Sequence, residues 1–200
     1  MSVISYFPGG SAGGGGLPEF TYTGTYQLID DGGGNWRVKF LTSGVLTFTK
    51  LGSAGKGIDV FLVGGGGGNG NAGGISDWCA AGGGGYTKTV KSLIVQKSVE
   101  YQIVVGAGGT RPTTSNTQTR GGTTSAFNAS IEGGYSGKAQ SGGDGGSGGA
   151  ASDSTVGGTD GGDGGTGTIF GGKPGQGQGT TTREFGEVSG ELYASGGYYN

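Results

Sequence analysis

The chain has 200 residues, of which 56 are glycine and only 4 proline, with a formal net charge of −2. Glycine stands at about four times its ordinary share, but the scarcity of proline and the lack of a Gly-X-Y register exclude a collagen triple helix. The near-neutral charge, without a basic patch of useful size, excludes counterion-driven binding to nucleic acid, and no apolar run approaches the roughly 20 residues that membrane insertion requires.

Residues 1–19 read as a glycine-rich arm. A short apolar patch (Val3, Ile4, Tyr6, Phe7) precedes Pro8 and a run of glycines. Such a patch docks on a neighbour or frays, and fraying is the commoner outcome at a terminus. The start of the chain has no basic region followed by a long apolar stretch, so nothing there resembles a secretory signal. From residue 20 the pattern becomes that of a single β-sandwich, with glycine insertions at 64–85 and 133–179. Tyr22, Tyr26 and Leu28 are expected on one face of a strand, and Asp30 to Asn35 form a turn joining antiparallel strands. Trp36, Val38 and Phe40 alternate with Arg37 and Lys39, which predicts one buried and one wet face. Thr42-Ser43-Gly44 turns the chain into Leu46-Thr47-Phe48. Ile58 to Val63 is continuously apolar apart from Asp59, so this strand is expected to be covered on both faces.

Gly65, Gly67 and Gly70 then satisfy a G-x-G-x-x-G spacing after a strand. That spacing marks a dinucleotide site only when a helix follows, and the glycines that come next do not permit one. Further strands are expected at 86–95, 100–105 and 125–131, the last with Phe127 and Ile131 facing the same way. A polar loop at 110–120 separates two of them. No helical segment is predicted, and about seven short strands with turn signals between them favour an antiparallel sandwich or jelly roll.

Residues 141–179 advance in steps of three: Ser141-Gly-Gly, Asp144-Gly-Gly, Ser147-Gly-Gly, then Asp160-Gly-Gly and Asp163-Gly-Gly. This period fits neither an amphipathic helix nor a strand but matches the left-handed polyproline II helix, which has no internal hydrogen bonds. Its N–H and C=O groups must be satisfied sideways, by neighbouring rods. Because similar tracts recur at 64–74 and 82–85 between strands, the expectation is an inserted bundle of polyglycine II helices rather than a loose linker.

Trp36 to Gly44 with Leu46-Thr47-Phe48, then Gly57 to Val63 and a polyglycine run, then Gly82 to Tyr86-Thr87-Lys88-Thr89, resemble the glycine-rich domain of tail-tip and tail-fibre proteins of phages of intestinal Firmicutes. The resemblance implies an all-β, jelly-roll-like sandwich of tumour-necrosis-factor type carrying polyglycine rods, a plan similar to that of the anaplastic lymphoma kinase ectodomain. It implies a virion protein that assembles with itself, most simply as a homotrimer. It also implies contact with other tail or baseplate proteins through the N-terminal arm, and with a bacterial surface receptor, carbohydrate or protein, through the loops joining the rods. Relatives of this kind continue into a closing apolar strand after the Tyr-rich segment. Here the resemblance leaves two alternatives, a shortened chain or a sheet edge closed by another subunit.

The receptor-contact candidates are Asp77 and Trp78 between glycine tracts, Arg111 and Asn116 in the 110–120 loop, and Tyr135, Tyr198 and Tyr199 in glycine surroundings. Rings beside Gly, Asn, Ser and Thr make a contact surface at low entropic cost, or else cap the rods by packing on one another. No catalytic residue, metal site or cofactor is expected. The chain has no histidine, which removes the Ser-His and Cys-His pairs, and Cys79 is its single cysteine, which also removes an intrachain disulfide framework. Asp144, Asp160 and Asp163 do not fall where calcium-binding glycine repeats place their aspartates. Three functions remain to be compared. They are a non-catalytic phage tail adhesin, a secreted ice-binding or other extracellular glycine-rich protein, and a receptor-type extracellular domain, the last disfavoured by the lack of disulfides.

Overall fold

A computed structural model of the chain describes residues 3–7, 17–32, 35–71, 73, 79–151, 182–187 and 189–197. Ten strands lie among them: β1 (Val3–Phe7), β2 (Glu19–Tyr22), β3 (Tyr26–Gly32), β4 (Asn35–Phe40), β5 (Gly44–Lys50), β6 (Ile58–Val63), β7 (Thr87–Leu93), β8 (Glu100–Ile103), β9 (Thr124–Ala126) and β10 (Ala129–Ile131). The protein is all-β, and its strand pairings are antiparallel. Among the described residues helix is confined to short 3-10 turns such as Gly52–Lys56 and Glu184–Gly186, and no helix is long and apolar enough to cross a membrane.

One sheet runs β3-β4-β1-β6-β7 and a second β2-β5-β8. A bridge between Val104 and Ser125 continues the second sheet toward the β9–β10 hairpin. The two layers meet over a core of Trp36, Val38, Phe40, Leu46, Phe48, Ile58, Val60, Leu62 and Ile103. Phe20 of β2 stacks on Trp36 of β4 across the layers, with ring centroids 6.2 Å apart. The burial of β4 alternates along its length as its apolar and charged residues do, which leaves Arg37 and Lys39 on the outer face. β6 is covered on both sides: Ile58, Val60 and Leu62 enter the main core, while Phe61 and Val63 form a second cluster with Phe185.

Three local expectations are corrected. The patch at the start of the chain does not fray; β1 lies in the middle of the first sheet, with Val3 opposite Phe40 on one side and Leu62 on the other. Its residues are β-formers, and without it β4 and β6 would each leave a row of N–H and C=O groups unpaired. Tyr22 and Tyr26 belong to β2 and β3, which lie in different sheets. Residues 125–131 are a hairpin rather than one strand. Phe127 and Asn128 take positive φ (49° and 61°) in its two-residue turn, the geometry that matches strand twist and that Asn tolerates well.

The glycine tracts leave from strand ends, Gly64 directly after β6 and Gly85 shortly before β7. They join neither sheet. Their amides bond sideways to several other segments: Gly65 to Gly122, Gly67 to Gly83, Gly70 to Ala80, Gly134 to Gly65, Gly84 to Ser147 and Gly197 to Gly82, with N···O distances of 2.7–2.9 Å. Segment 64–70 is thus bonded to 80–85, 106–109, 121–122 and 133–137, and segment 80–85 in turn to 143–150 and 194–197. Most of these glycines are buried. The G-x-G-x-x-G spacing at 65–70 therefore serves backbone packing, and the described residues that follow it, 71, 73 and 79–85, are not helical. Of the three-residue steps, 141–151 lie in this network, and 152–179 fall outside the described residues.

Candidate functional site

The 110–120 loop and the distal ends of two glycine tracts come together. Asn71 organises the junction. Its side-chain amide donates to the Pro112 carbonyl (2.9 Å), and its Oδ1 accepts the Gly73 amide (3.1 Å). Arg111 is exposed, with Nη2 3.4 Å from both Asn71 Oδ1 and Cys79 Sγ. Asn116 is exposed at a turn with φ of 61°, beside the Thr117 hydroxyl that donates to the Thr114 carbonyl (2.7 Å). Tyr135 sits deeper, half-buried, its amide donating to Asp144 and its carbonyl accepting from Gly83. Its ring lies under the Arg120 guanidinium at 4.4 Å, and Arg120 Nε donates to the Gly133 carbonyl (2.9 Å). Asp77, Trp78, Tyr198 and Tyr199 lie outside the described residues.

A second feature escaped the sequence reading. On the outer face of the first sheet, a cleft of about 400 Å³ is lined by Asp31, Arg37, Asp59, Glu184, Glu187 and Glu191, with Phe185 beside them. The β3–β4 hairpin sets Asp31 beside Arg37, which donates to it through Nε (2.8 Å) and Nη2 (2.7 Å). Arg37 Nη1 meets Glu184 Oε2 at 2.5 Å. The bond to Asp31 first, and that to Glu184 next, hold the Arg37 pKa above its ordinary value. Asp59 is on the outer face of β6 and accepts the Ser92 amide (2.8 Å). The remaining acids arrive on the segment 182–193, folded back by Glu184 N–H to Glu191 O, Gly190 N–H to Glu187 O and Tyr193 N–H to Thr182 O, each 2.9 Å. Glu184 is 4% exposed, and its Oε1 is buried without a hydrogen-bond partner. The signal available in sequence was the i, i+3, i+7 spacing of Glu184, Glu187 and Glu191; what hid it was that their partner, Arg37, lies 147 positions earlier.

Tyr193 closes one side of this region. Its hydroxyl donates to Glu191 Oε2 (2.8 Å) and accepts from Lys39 Nζ (3.1 Å), whose ammonium also lies 4.9 Å from the ring centroid. Burial, then the bond to Glu191, raises the Tyr193 pKa above its usual value of 10.0. A tyrosine so shifted keeps its proton in the folded state at pH values where the unfolded chain has lost it. The stability it contributes is therefore full below about pH 10 and is lost as pH rises beyond. Melting curves between about pH 9 and pH 11.5 should accordingly fall less steeply for Tyr193→Phe than for the natural chain. Equal slopes would mean that the hydroxyl is solvated in the folded protein.

Among the described residues, no group of three or more His, Cys, Asp or Glu side chains is placed to hold a metal ion. A family model described as a glycine-rich domain matches residues 41–200. No curated protein and no solved structure matches the chain.

Proposed function

The chain belongs to the glycine-rich domain family, and from that premise we propose that it is a non-catalytic structural and adhesive module of a bacteriophage tail tip or tail fibre. In this reading the two packed sheets are a jelly-roll-like sandwich of tumour-necrosis-factor type, and the glycine tracts are polyglycine II helices. The observation that carries it is the lateral bonding of 64–70 to four other segments, because rods without side chains become rigid only when each amide finds a neighbour. A rigid bundle rooted on strand ends can hold the 110–120 loop, with Arg111 and Asn116 exposed, away from the sandwich. Exposed Leu17, Leu28, Ile94 and Val104 supply apolar surface for assembly with further copies, most simply as a homotrimer. The receptor in this reading is a bacterial surface carbohydrate or protein.

The test replaces residues 111–118 with a Gly/Ser segment of equal length and measures binding of the purified chain to host cells, together with its melting temperature. Loss of cell binding with unchanged melting is the expected result. Unchanged binding, or failure of antibodies against the chain to label virion tail tips, counts against the adhesin. Thermal hysteresis without cell binding would favour the ice-binding alternative.

A further inference from the structure

We propose that the outer edge of β3 is a docking surface for a second copy of this chain, the two β3 strands pairing antiparallel about a two-fold axis at Leu28. The inference goes beyond the adhesin reading and does not rest on it, since the contact joins single chains or whole trimers in pairs. Three observations meet on this strand. The first is direction. β3 is the last strand of its sheet. Tyr26, Leu28 and Asp30 stand opposite Phe40, Val38 and Trp36 of β4, and the bond from the Leu41 N–H to the Thr25 carbonyl (2.8 Å) makes Thr25, Gln27 and Ile29 the residues that bond to β4. The N–H and C=O groups of Tyr26, Leu28 and Asp30 therefore point outward, and no other described segment bonds to them. The second is an uncovered inner face. Three strands answer five, and while Tyr26 still reaches the Phe20 ring of β2 (centroids 5.3 Å), Leu28 is left 57% exposed on the side that carries Val38 and Phe40 into the core. The third is the contrast with the opposite edge. β7 carries exposed Lys88 and Lys91 and a register shift against β6, devices by which natural sheets keep an edge single. Over residues 26–29, β3 has no charge, proline or shift.

The residues of β3 also select a second β3 over an unrelated strand. With Leu28 opposite Leu28, Tyr26 stands opposite Asp30 on either side of the axis, and each of these pairs exchanges the backbone bonds that β4 leaves unused. The acids stay apart: Asp30 faces a tyrosine, and Asp31 is already held by Arg37 at 2.7 Å. Moving the axis toward Asp30 would bring carboxylates of the two copies together, and moving it toward Tyr26 would shorten the overlap. On the inner face the two leucines cover each other. The paired copies thus share one continuous sheet and bury apolar surface that a single copy leaves in water.

Sedimentation velocity of the full chain over a concentration series tests the contact. Dimers, or hexamers where trimers pair, are expected, and Leu28→Lys should weaken the pairing at least about tenfold by setting two ammonium groups side by side. Melting of the separated chain should hardly change, because Leu28 is exposed. Cross-linking reads the register, in a Cys79→Ser background that removes the free thiol. Leu28→Cys should link two copies on mild oxidation, since the axis puts their Cα atoms about 5.5 Å apart, within disulfide reach. Gln27→Cys should not, because it stands opposite Ile29 of the second copy. The proposal is overturned by a chain that stays monomeric, which would leave the edge to a strand of another protein, or trimeric at every concentration. Undiminished pairing in Leu28→Lys overturns it as well, as does linking of Gln27→Cys as readily as Leu28→Cys.

Discussion

Alanine at Gly67 or at Gly84 is expected to destabilise the protein by about 3 kcal/mol or more, enough to open the network of glycine segments in a domain whose total stability is of order 5–15 kcal/mol. A Cβ at Gly67 would be driven against the carbonyl group of Tyr135, and one at Gly84 against the backbone of Ala194, both inside the 3.0 Å that real Cβ atoms essentially never cross. Neither obstacle is the loose end of a side chain. The Tyr135 carbonyl is held by the Gly83 amide at 2.9 Å, and Gly84 itself is tied to Ser147 at 2.8 Å. Relief therefore requires separating two glycine segments, with loss of the bonds between them. Gly55→Ala is the control: its Cβ would meet only Leu51, at 3.6 Å, an ordinary contact. That variant should melt within about 0.5 kcal/mol of the natural chain. Thermal unfolding by circular dichroism separates the cases, and Gly67 or Gly84 variants as stable as the control would mean that these segments are not in contact.

The sandwich was readable because its signals are local. Trp36, Val38 and Phe40 alternate at the period of a strand, and the structure buries those three and turns Arg37 and Lys39 outward. The unbroken run at 58–63 likewise foretold a strand buried on both faces, with Asp59 the exception at the cleft. What resisted reading depends on partners far away in the chain. The pairing of β1 with both β4 and β6 leaves no trace in residues 3–7 beyond their β propensity. Phe127 was counted as a strand residue because an aromatic side chain rarely takes positive φ; only the Asn that follows hinted at a turn. The glycine tracts announced their need for lateral partners but not which ones, since a residue without a side chain carries no register. The cleft is the extreme case: the pair Asp31 and Arg37, then Asp59, then Glu184 lie far apart in the sequence, and come together only when segment 182–193 folds onto the first sheet.

That folding-back is controlled by one side chain, and Phe61→Ala is expected to undo it at a cost of about 3–5 kcal/mol. Phe61 is fully buried on the face of β6 opposite the main core, with ring centroids 6.0 Å from Phe185 and 5.6 Å from Tyr193. Together with Val63 these rings form a cluster separate from the one that joins the two sheets. Removing the central ring should thus release residues 182–193 while β4, β5 and β6 keep their contacts with Val38, Leu46, Phe48 and Leu62. Hydrogen exchange resolved by peptide should then show accelerated exchange at Glu184, Gly190 and Tyr193, whose amides hold the fold-back, with little change in 36–50. Because Glu184 is brought to Arg37 by the same segment, the ion pair between them should be lost with it in Phe61→Ala. Uniform acceleration across both regions would show instead that the two clusters unfold as one unit, and that the C-terminal segment is integral to the sandwich rather than laid upon it.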